Sequence, residues 1–423
     1  MNEKLLHFIW QFQYYNKSSL VTSNEEQLHI VHTGTYNNNQ GPDFLNATVK
    51  IDEITLVGNI ELHIHASDWN KHKHSSDLQY NNIVLHVVWN NDLAITLAGK
   101  PLPTLELNGR VPKYLLQRYE YLMLEQQAIP CAKFLPALSE IGWLAWKERL
   151  AIERLEQKSK HVLQLFDSTN HHWEEVFWQL IARNFGITIN ADCFEAIAQT
   201  ISINVLAKHK NQIHQLEALL LGQANLLNDN FDDKYAQLLQ KEYHFLQKKY
   251  QLKKVHNTPL FLRMRPANFP TIRLAQLAML IYNSNHLFAK IKLLTEIKEV
   301  KLLFAITAND YWNTHYTLND ETSSTQPKEL GQQMIHNIII NTVVPILFSY
   351  GLYTKEQLFK DKALKWLQEL PTENNKIIHE WKMLEVKYSN AFDSQALLQL
   401  TNNYCKQHNC LQCAVGNKIL KQE

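Results

Sequence analysis

Between about residue 28 and residue 107 apolar and polar side chains alternate one by one; from about Pro112 onward apolar positions recur every three or four residues. Alternation over short runs rich in β-branched residues predicts strands at 28–32, 44–51, 54–66, 83–89, 94–97 and 105–107. Asn37-Asn38-Asn39-Gln40-Gly41 and Asn90-Asn91-Asp92 supply turns between them. Ahead of the strands, Leu5, Leu6, Ile9, Trp10 and Phe12 suit one face of an amphipathic helix.

The later period is helical. Leu144, Ala151, Leu155 and Val162 follow one another at spacings of seven, four and seven, with Lys147, Glu148, Glu153, Arg154 and Lys158 on the remaining faces, read as solvated surface. Similar patterns predict helices over 173–185, 214–227, 235–250, 272–282, 328–349 and 394–404, while the Thr-, Asn- and Ser-rich stretch 309–326 reads as a long loop. Aromatics such as Trp143, Trp146, Trp173, Phe177 and Trp178 recur at helical spacing, which makes them core residues first. The expected fold is therefore α+β. An N-terminal helix and a mostly antiparallel sheet form a domain over 1–111, and a large all-helical domain, divisible near 309–326, covers 112–423.

Composition narrows the function classes. A chain of 423 residues exceeds one ordinary core and suits two domains. Forty-two Lys and Arg against 41 Asp and Glu leave no global field, so net charge does not indicate a nucleic-acid partner, although a local basic groove is compatible with it. The N-terminus lacks the features of a signal peptide, and no apolar run reaches the ~18 residues of a membrane span; the nearest, 338–350, is interrupted by Asn341, Thr342 and Pro345. A cytoplasmic protein without a membrane partner is expected. No Gly-rich phosphate loop, dinucleotide fingerprint or nucleophile elbow is present, which argues against a nucleotide cofactor and against an α/β-hydrolase.

The segment Gly58–Ala66, GNIELHIHA, places Ile60, Leu62 and Ile64 on one strand face and Glu61, His63 and His65 on the other. Asp43 stands upstream in Gly41-Pro42-Asp43-Phe44, and Asp68, His72, His74, Asp77 and His86 follow. Alternate side chains on a strand stand about 6.6 Å apart. One ion is therefore reached more easily by two of the three strand residues with Asp43 or His86 than by all three. Asp43, Glu61, His63, His65 and His86 are the candidate ligands of a divalent metal; carboxylates favour magnesium or manganese and imidazoles favour zinc. The competing reading is a solvated sheet face. Ser67-Asp68-Trp69 reads as a turn or cap, and His72-x-His74 as a loop closing over the site, with a turn role favoured over ligation.

Three of the five cysteines fall in the last nineteen residues, as Cys405-x4-Cys410-x2-Cys413. That spacing suits zinc or an iron–sulfur cluster, but a tetrahedral shell needs a fourth ligand: Cys131, preferred here, His408 or Cys193. Three reduced thiols on a terminal helix is an equal alternative. Arg263 and Arg265, before Pro266, share a face if extended and suit a phosphate clamp, or equally a clamp on a buried carboxylate such as Glu217.

Taken together, GPDF, GNIELHIHASDW, HKH, YNNIVLHVV, FLRMRPANFPTIRLAQLA and CLQCAVGNKIL resemble a bacterial family known only as a domain of unknown function, over essentially the whole chain. That resemblance implies no activity. A second one is local: Pro42-Asp43, followed eighteen residues later by Glu61-x-His63 on a strand, resembles the two metal-binding motifs of the PD-(D/E)XK nuclease superfamily. It implies that Asp43 and Glu61 hold a divalent metal, with His63 at the position of a lysine that assists the attacking water. Some nucleases of that superfamily bear an iron–sulfur cluster on one upstream cysteine and a C-terminal group; here Cys131 follows the motifs instead of preceding them. The expectation is a metal-dependent hydrolase, specifically a nuclease-like phosphodiesterase with Asp43, Glu61 and His63 catalytic. Its rivals are a cupin-like histidine–metal enzyme and a non-catalytic helical scaffold.

Overall fold

The computed structural model describes residues 1–262 and 264–421. The chain divides into two compact units: residues 1–143 together with those from 400 onward, and residues 144–399. The α+β expectation holds, with the strands confined to the first unit and a large helical part beyond them.

In the first unit, helix α1 (Glu3–Gln11) starts where the Asn2 side chain accepts the Leu5 amide at 2.9 Å, and its apolar face buries Leu5, Leu6, Phe8, Ile9 and Trp10. The strands are β1 (Leu28–His32), β2 (Thr35–Tyr36), β3 (Phe44–Ile51), β4 (Ile54–His65), β5 (Ile83–Asn90), β6 (Thr96–Leu97), β7 (Lys100–Pro101) and β8 (Thr104–Glu106). The main sheet has the order β1-β3-β4-β5-β8, with β2 alongside β3 and with β6 and β7 forming a separate ribbon.

The sheet is mixed, and connection length explains why. Only Asp52 and Glu53 separate β3 from β4, so the two pair antiparallel, as β1 and β2 do with β3. Between β4 and β5 run residues 66–82, including helix α2 (Asp68–Lys71), long enough for the crossover that a parallel pair requires; β5 and β8 are also parallel. The crossover covers one face of β4 and β5. The strand pair at the middle of the sheet is thereby buried on both faces, and Ile60, Glu61, Leu62, His63 and His86 are all inaccessible. Gly58 makes the approach feasible, since a Cβ there would stand 2.4 Å from Val84 Cγ1 and 2.5 Å from the Asn82 carbonyl oxygen.

In the second unit the helical periodicities correspond to Trp173–Phe185, Ile213–Gln223, Lys234–Tyr250 and Pro270–Asn283. The stretch 309–326 holds a single 3-10 turn, Asp310–Asn313, and one isolated bridge, and is otherwise irregular. Helix Gln332–Ile338 continues through a π-helical turn, Ile339–Val343, into Val344–Thr354. The wider hydrogen-bonding of the π turn takes the helix past the interruption at Asn341, Thr342 and Pro345. The resulting Gln332–Thr354 is long and apolar enough to cross a membrane, but 72% of its apolar window is buried inside the protein, the burial of a core helix.

One reading of helix Glu140–Ser168 is corrected. Leu144 is exposed, whereas Lys147 and Lys158, taken from the sequence as solvated surface, are inside. Lys147 pairs with Asp393 at 2.7 Å, and the Lys158 ammonium donates to Asn341 Oδ1 and Gln395 Oε1 at 2.8 and 3.1 Å. These partners come from some two hundred residues further along the chain, where helical periodicity carries no information about them.

Candidate metal centre

Period-two geometry sets Glu61 and His63 on the same face of β4, and the parallel register Glu61 to His86 sets His86 on that face of β5. The crossover brings two more imidazoles onto it. Lys73 takes a left-handed conformation (φ +59°) between His72, which ends α2, and His74, which opens the next 3-10 turn, and the reversal points both histidines back at the strand. Trp69, fully buried, and Tyr80, stacked on His74 at a centroid distance of 3.9 Å, pack the segment down.

The ligand atoms of His63, His72 and His74 all lie within 4.8 Å of one another. His63 Nε2 is 3.2 Å from His72 Nδ1 and 3.7 Å from Glu61 Oε1, and His74 Nε2 is 3.3 Å from the same carboxylate oxygen. Metal–nitrogen bonds of about 2.0–2.1 Å set tetrahedral donors roughly 3.3–3.4 Å apart. The three imidazole nitrogens are therefore close enough to share one ion, and the Glu61 oxygen borders two of them without belonging to the group. The second nitrogen of His63, Nδ1, lies 2.9 Å from His86 Nε2.

Burial shapes the electrostatics. His63 is pushed down to about 3, first by burial and then by the neighbouring imidazoles of His86, His74 and His72; His86 is also pushed down to about 3, by burial and by His74. Both are neutral at physiological pH, the state a ligand and its hydrogen-bond partner require. Burial raises the Glu61 carboxyl, and the bond with His74 opposes that rise. Asp43 stands beside this group. Its Oδ2 accepts the Leu62 amide at 2.9 Å and lies 3.2 Å from His7 Nε2, while its own amide donates to Glu61 Oε2 at 3.1 Å. A bulge in β3, centred on Asn46 at φ +57°, adjusts the strand just past Asp43.

Residues 3–376 match the family described as protein of unknown function (DUF2851). The chain belongs to that family. No curated protein and no solved structure matches it.

In this DUF2851 chain the candidate ligands are distributed unevenly. His63 is in the group and Glu61 borders it, with Asp43 in contact with Glu61 and His86 in contact with His63; His72 and His74, for which a turn role is expected from the sequence, supply two of its three histidines. His65 stays at the end of β4, half-buried, with its amide held by Asp68 Oδ2 at 3.0 Å. His7, which the sequence reading passes over, is half-buried on α1, and only its place three residues before the buried Trp10 hints at that face. All five cysteines are reduced and buried. Arg263 lies outside the described residues, and Arg265 is exposed in the second unit. Among the described residues the Glu217 carboxylate accepts from Tyr235, Asn309 and Trp312, and Arg265 is not one of its partners.

Proposed function

We propose that the DUF2851 chain is a metal-dependent hydrolase and that it cleaves phosphodiester bonds. The observation that carries the first part is the grouping of His63, His72 and His74, whose ligand atoms all lie within 4.8 Å of one another, as donors to one ion must. Three imidazoles in that shell favour zinc over magnesium or manganese. A bound ion would supply Lewis acidity and a hydroxide at neutral pH.

The protein's own groups divide the remaining work. His63, His72 and His74 are the ligands. Glu61, raised by burial, stands beside His63 and His74, where it can accept a proton from a nucleophilic water and return it to a leaving group. His86 orients His63 through Nδ1, and Asp43 fixes the strand by holding the Leu62 amide. His72 is the exposed member of the group and marks the side from which a substrate enters. The phosphodiester assignment rests on the likeness of Asp43 and Glu61-x-His63 to nuclease motifs, supported by the contact between the Asp43 amide and Glu61.

A second reading, a structural metal site in a non-catalytic protein, is favoured by the burial of His63 and His74, two of the three histidines. The test is hydrolysis of bis(p-nitrophenyl) phosphate and of single- and double-stranded DNA by untagged protein, with and without added zinc or manganese. Zinc-dependent turnover that Glu61→Gln abolishes while zinc binding is retained supports the hydrolase. Zinc bound with no turnover of any of these substrates leaves the structural reading, and no metal bound by folded protein removes both.

A further inference from the structure

Four of the five cysteines come from two distant stretches of chain and meet in one buried place. Cys131 lies in the Ile129-Pro130-Cys131 loop that follows helix α3 (Lys113–Leu124), and Cys405, Cys410 and Cys413 lie near the C-terminus; all four belong to the first unit. Each is no more than 7% exposed. Every pair among the four is close enough for the charge on one sulfur to act on the other. Cys193 does not join them: it belongs to the second unit, and its thiol donates to the Asn257 carbonyl at 3.2 Å.

The backbone around the terminal three is wound tightly. A π-helical turn, Leu400–Cys405, ends with the Lys406 amide on the Thr401 carbonyl; His408 then takes φ +50°, and a 3-10 turn, Cys410–Gln412, leads to Cys413, whose amide bonds the Cys410 carbonyl at 3.3 Å. The final helix, Ala414–Lys421, packs against this turn at Gly416, where a Cβ would stand 2.2 Å from the Cys410 carbonyl oxygen. His408 Nδ1 donates to the Leu122 carbonyl at 2.9 Å and Arg118 donates to the Ile419 carbonyl at 2.9 Å, so the turn is anchored on α3, just upstream of Cys131.

We infer that Cys131, Cys405, Cys410 and Cys413 are the ligands of a second metal centre, one of thiolate donors, that fastens the C-terminal turn to the loop after α3. Thiols are weak hydrogen-bonding groups, so collecting four of them adds little that apolar side chains would not. A cation changes that balance. Without one, burial and the neighbouring sulfurs raise Cys131, Cys405 and Cys410 above the ordinary thiol value, which keeps these three as thiols. A bound metal displaces the thiol protons and converts mutual repulsion into shared attraction. Among the described residues no three of these sulfurs lie within 4.8 Å of one another. Zinc–sulfur bonds of about 2.3 Å would set tetrahedral sulfurs roughly 3.8 Å apart. The wider spacing favours an iron–sulfur cluster, whose thiolates end on different irons, over a single zinc ion.

The test is elemental analysis, acid-labile sulfide and visible absorption of the untagged full-length chain, purified without oxygen and again after reconstitution with zinc or with iron and sulfide. Iron with matching sulfide, or zinc retained by a His63→Ala variant that has lost the histidine-bound ion, identifies the occupant. Cys131→Ser and Cys405→Ser should each lose that metal at least tenfold, while Cys193→Ser and His74→Ala keep it. Should the cysteine variants fail to fold, cobalt added to the wild-type chain gives a sulfur-to-cobalt charge-transfer band whose strength reports the number of thiolates. Absence of that band, together with neither zinc nor iron at the cysteines before or after reconstitution, overturns the inference. Loss of the histidine-bound metal alone leaves it standing, so the two centres fail separately.

Discussion

His63 Nδ1 and His86 Nε2 lie 2.9 Å apart in a part of the sheet that solvent does not reach. With both rings neutral, a proton on His63 Nδ1 directed at His86 Nε2 leaves the lone pair of His63 Nε2 facing His72 and Glu61. That is the His63 tautomer that a metal on Nε2 requires, and His86 Nε2 is placed to accept its proton. Because β4 and β5 are parallel, this neighbour arrives in register with Glu61 by strand pairing alone.

Replacing His86 should accordingly affect metal affinity without removing a ligand. His86→Ala is expected to weaken zinc binding about 10- to 100-fold, a partner-residue effect, whereas His63→Ala removes a donor and should weaken it further. Competition titration with a chromophoric chelator measures both. Equal losses in the two variants would show that His86 is itself a ligand, and no loss in His86→Ala would show that the tautomer is set in another way.

Gly58 controls whether this register can form. Gly58→Ala puts a Cβ within 2.4 Å of Val84 and 2.5 Å of the Asn82 carbonyl, and the latter is backbone that cannot rotate away. A loss of about 1–3 kcal/mol in denaturant unfolding is expected, typical of overpacking, with weaker zinc binding because β5 and His86 shift together. An alanine variant as stable as the parent would mean that the strands separate there at no cost.

Much of this arrangement was legible in the sequence, and the exceptions share a physical cause. Glu61, His63 and His86 could be chosen because period-two alternation and strand positions are local properties. The parallel pairing of β4 with β5 and the inward turn of His72 and His74 depend on how residues 66–82 fold over the sheet, and a left-handed Lys73 is invisible to a hydropathy pattern. His65 obeyed the alternation but stands past the covered part of the strand. The same limit applies to Lys147, Lys158 and Leu144, where helical period predicts a face correctly only if the partners on each side are known.

Lys147 and Asp393 make the buried case measurable. The two are 2.7 Å apart, and Asp393 also accepts the Ser389 amide at 2.8 Å. Asp393→Asn should lower stability by about 3–5 kcal/mol, because it leaves an ammonium in a dry site without its counter-charge. Adding Lys147→Met should recover a large part of that loss, since the stranded charge is then gone. Chemical denaturation of the single and double variants decides the point, and an Asp393→Asn variant within ~0.5 kcal/mol of the parent would mean that water reaches the pair.

Glu217 gives the second unit a pH dependence of known sign. It is fully buried, accepting from Tyr235 Oη at 2.8 Å, Asn309 Nδ2 at 2.5 Å and Trp312 Nε1 at 3.0 Å, and burial still raises its carboxyl from 4.5 to about 8 against the pull of those donors. The folded chain therefore holds a proton that the unfolded chain releases between those two values. Its contribution to stability is complete below about pH 4.5 and is lost as the pH rises through about 8. Glu217→Gln removes this titration and keeps the shape, with the amide nitrogen able to face Tyr235 Oη. Relative to the parent, the variant should gain stability steadily from pH 5 to pH 8, by an amount on the order of a few kcal/mol, and show no further relative gain above that range. Unfolding free energies of both proteins across the range would test it, and a constant difference would mean that Glu217 remains ionised in the folded protein.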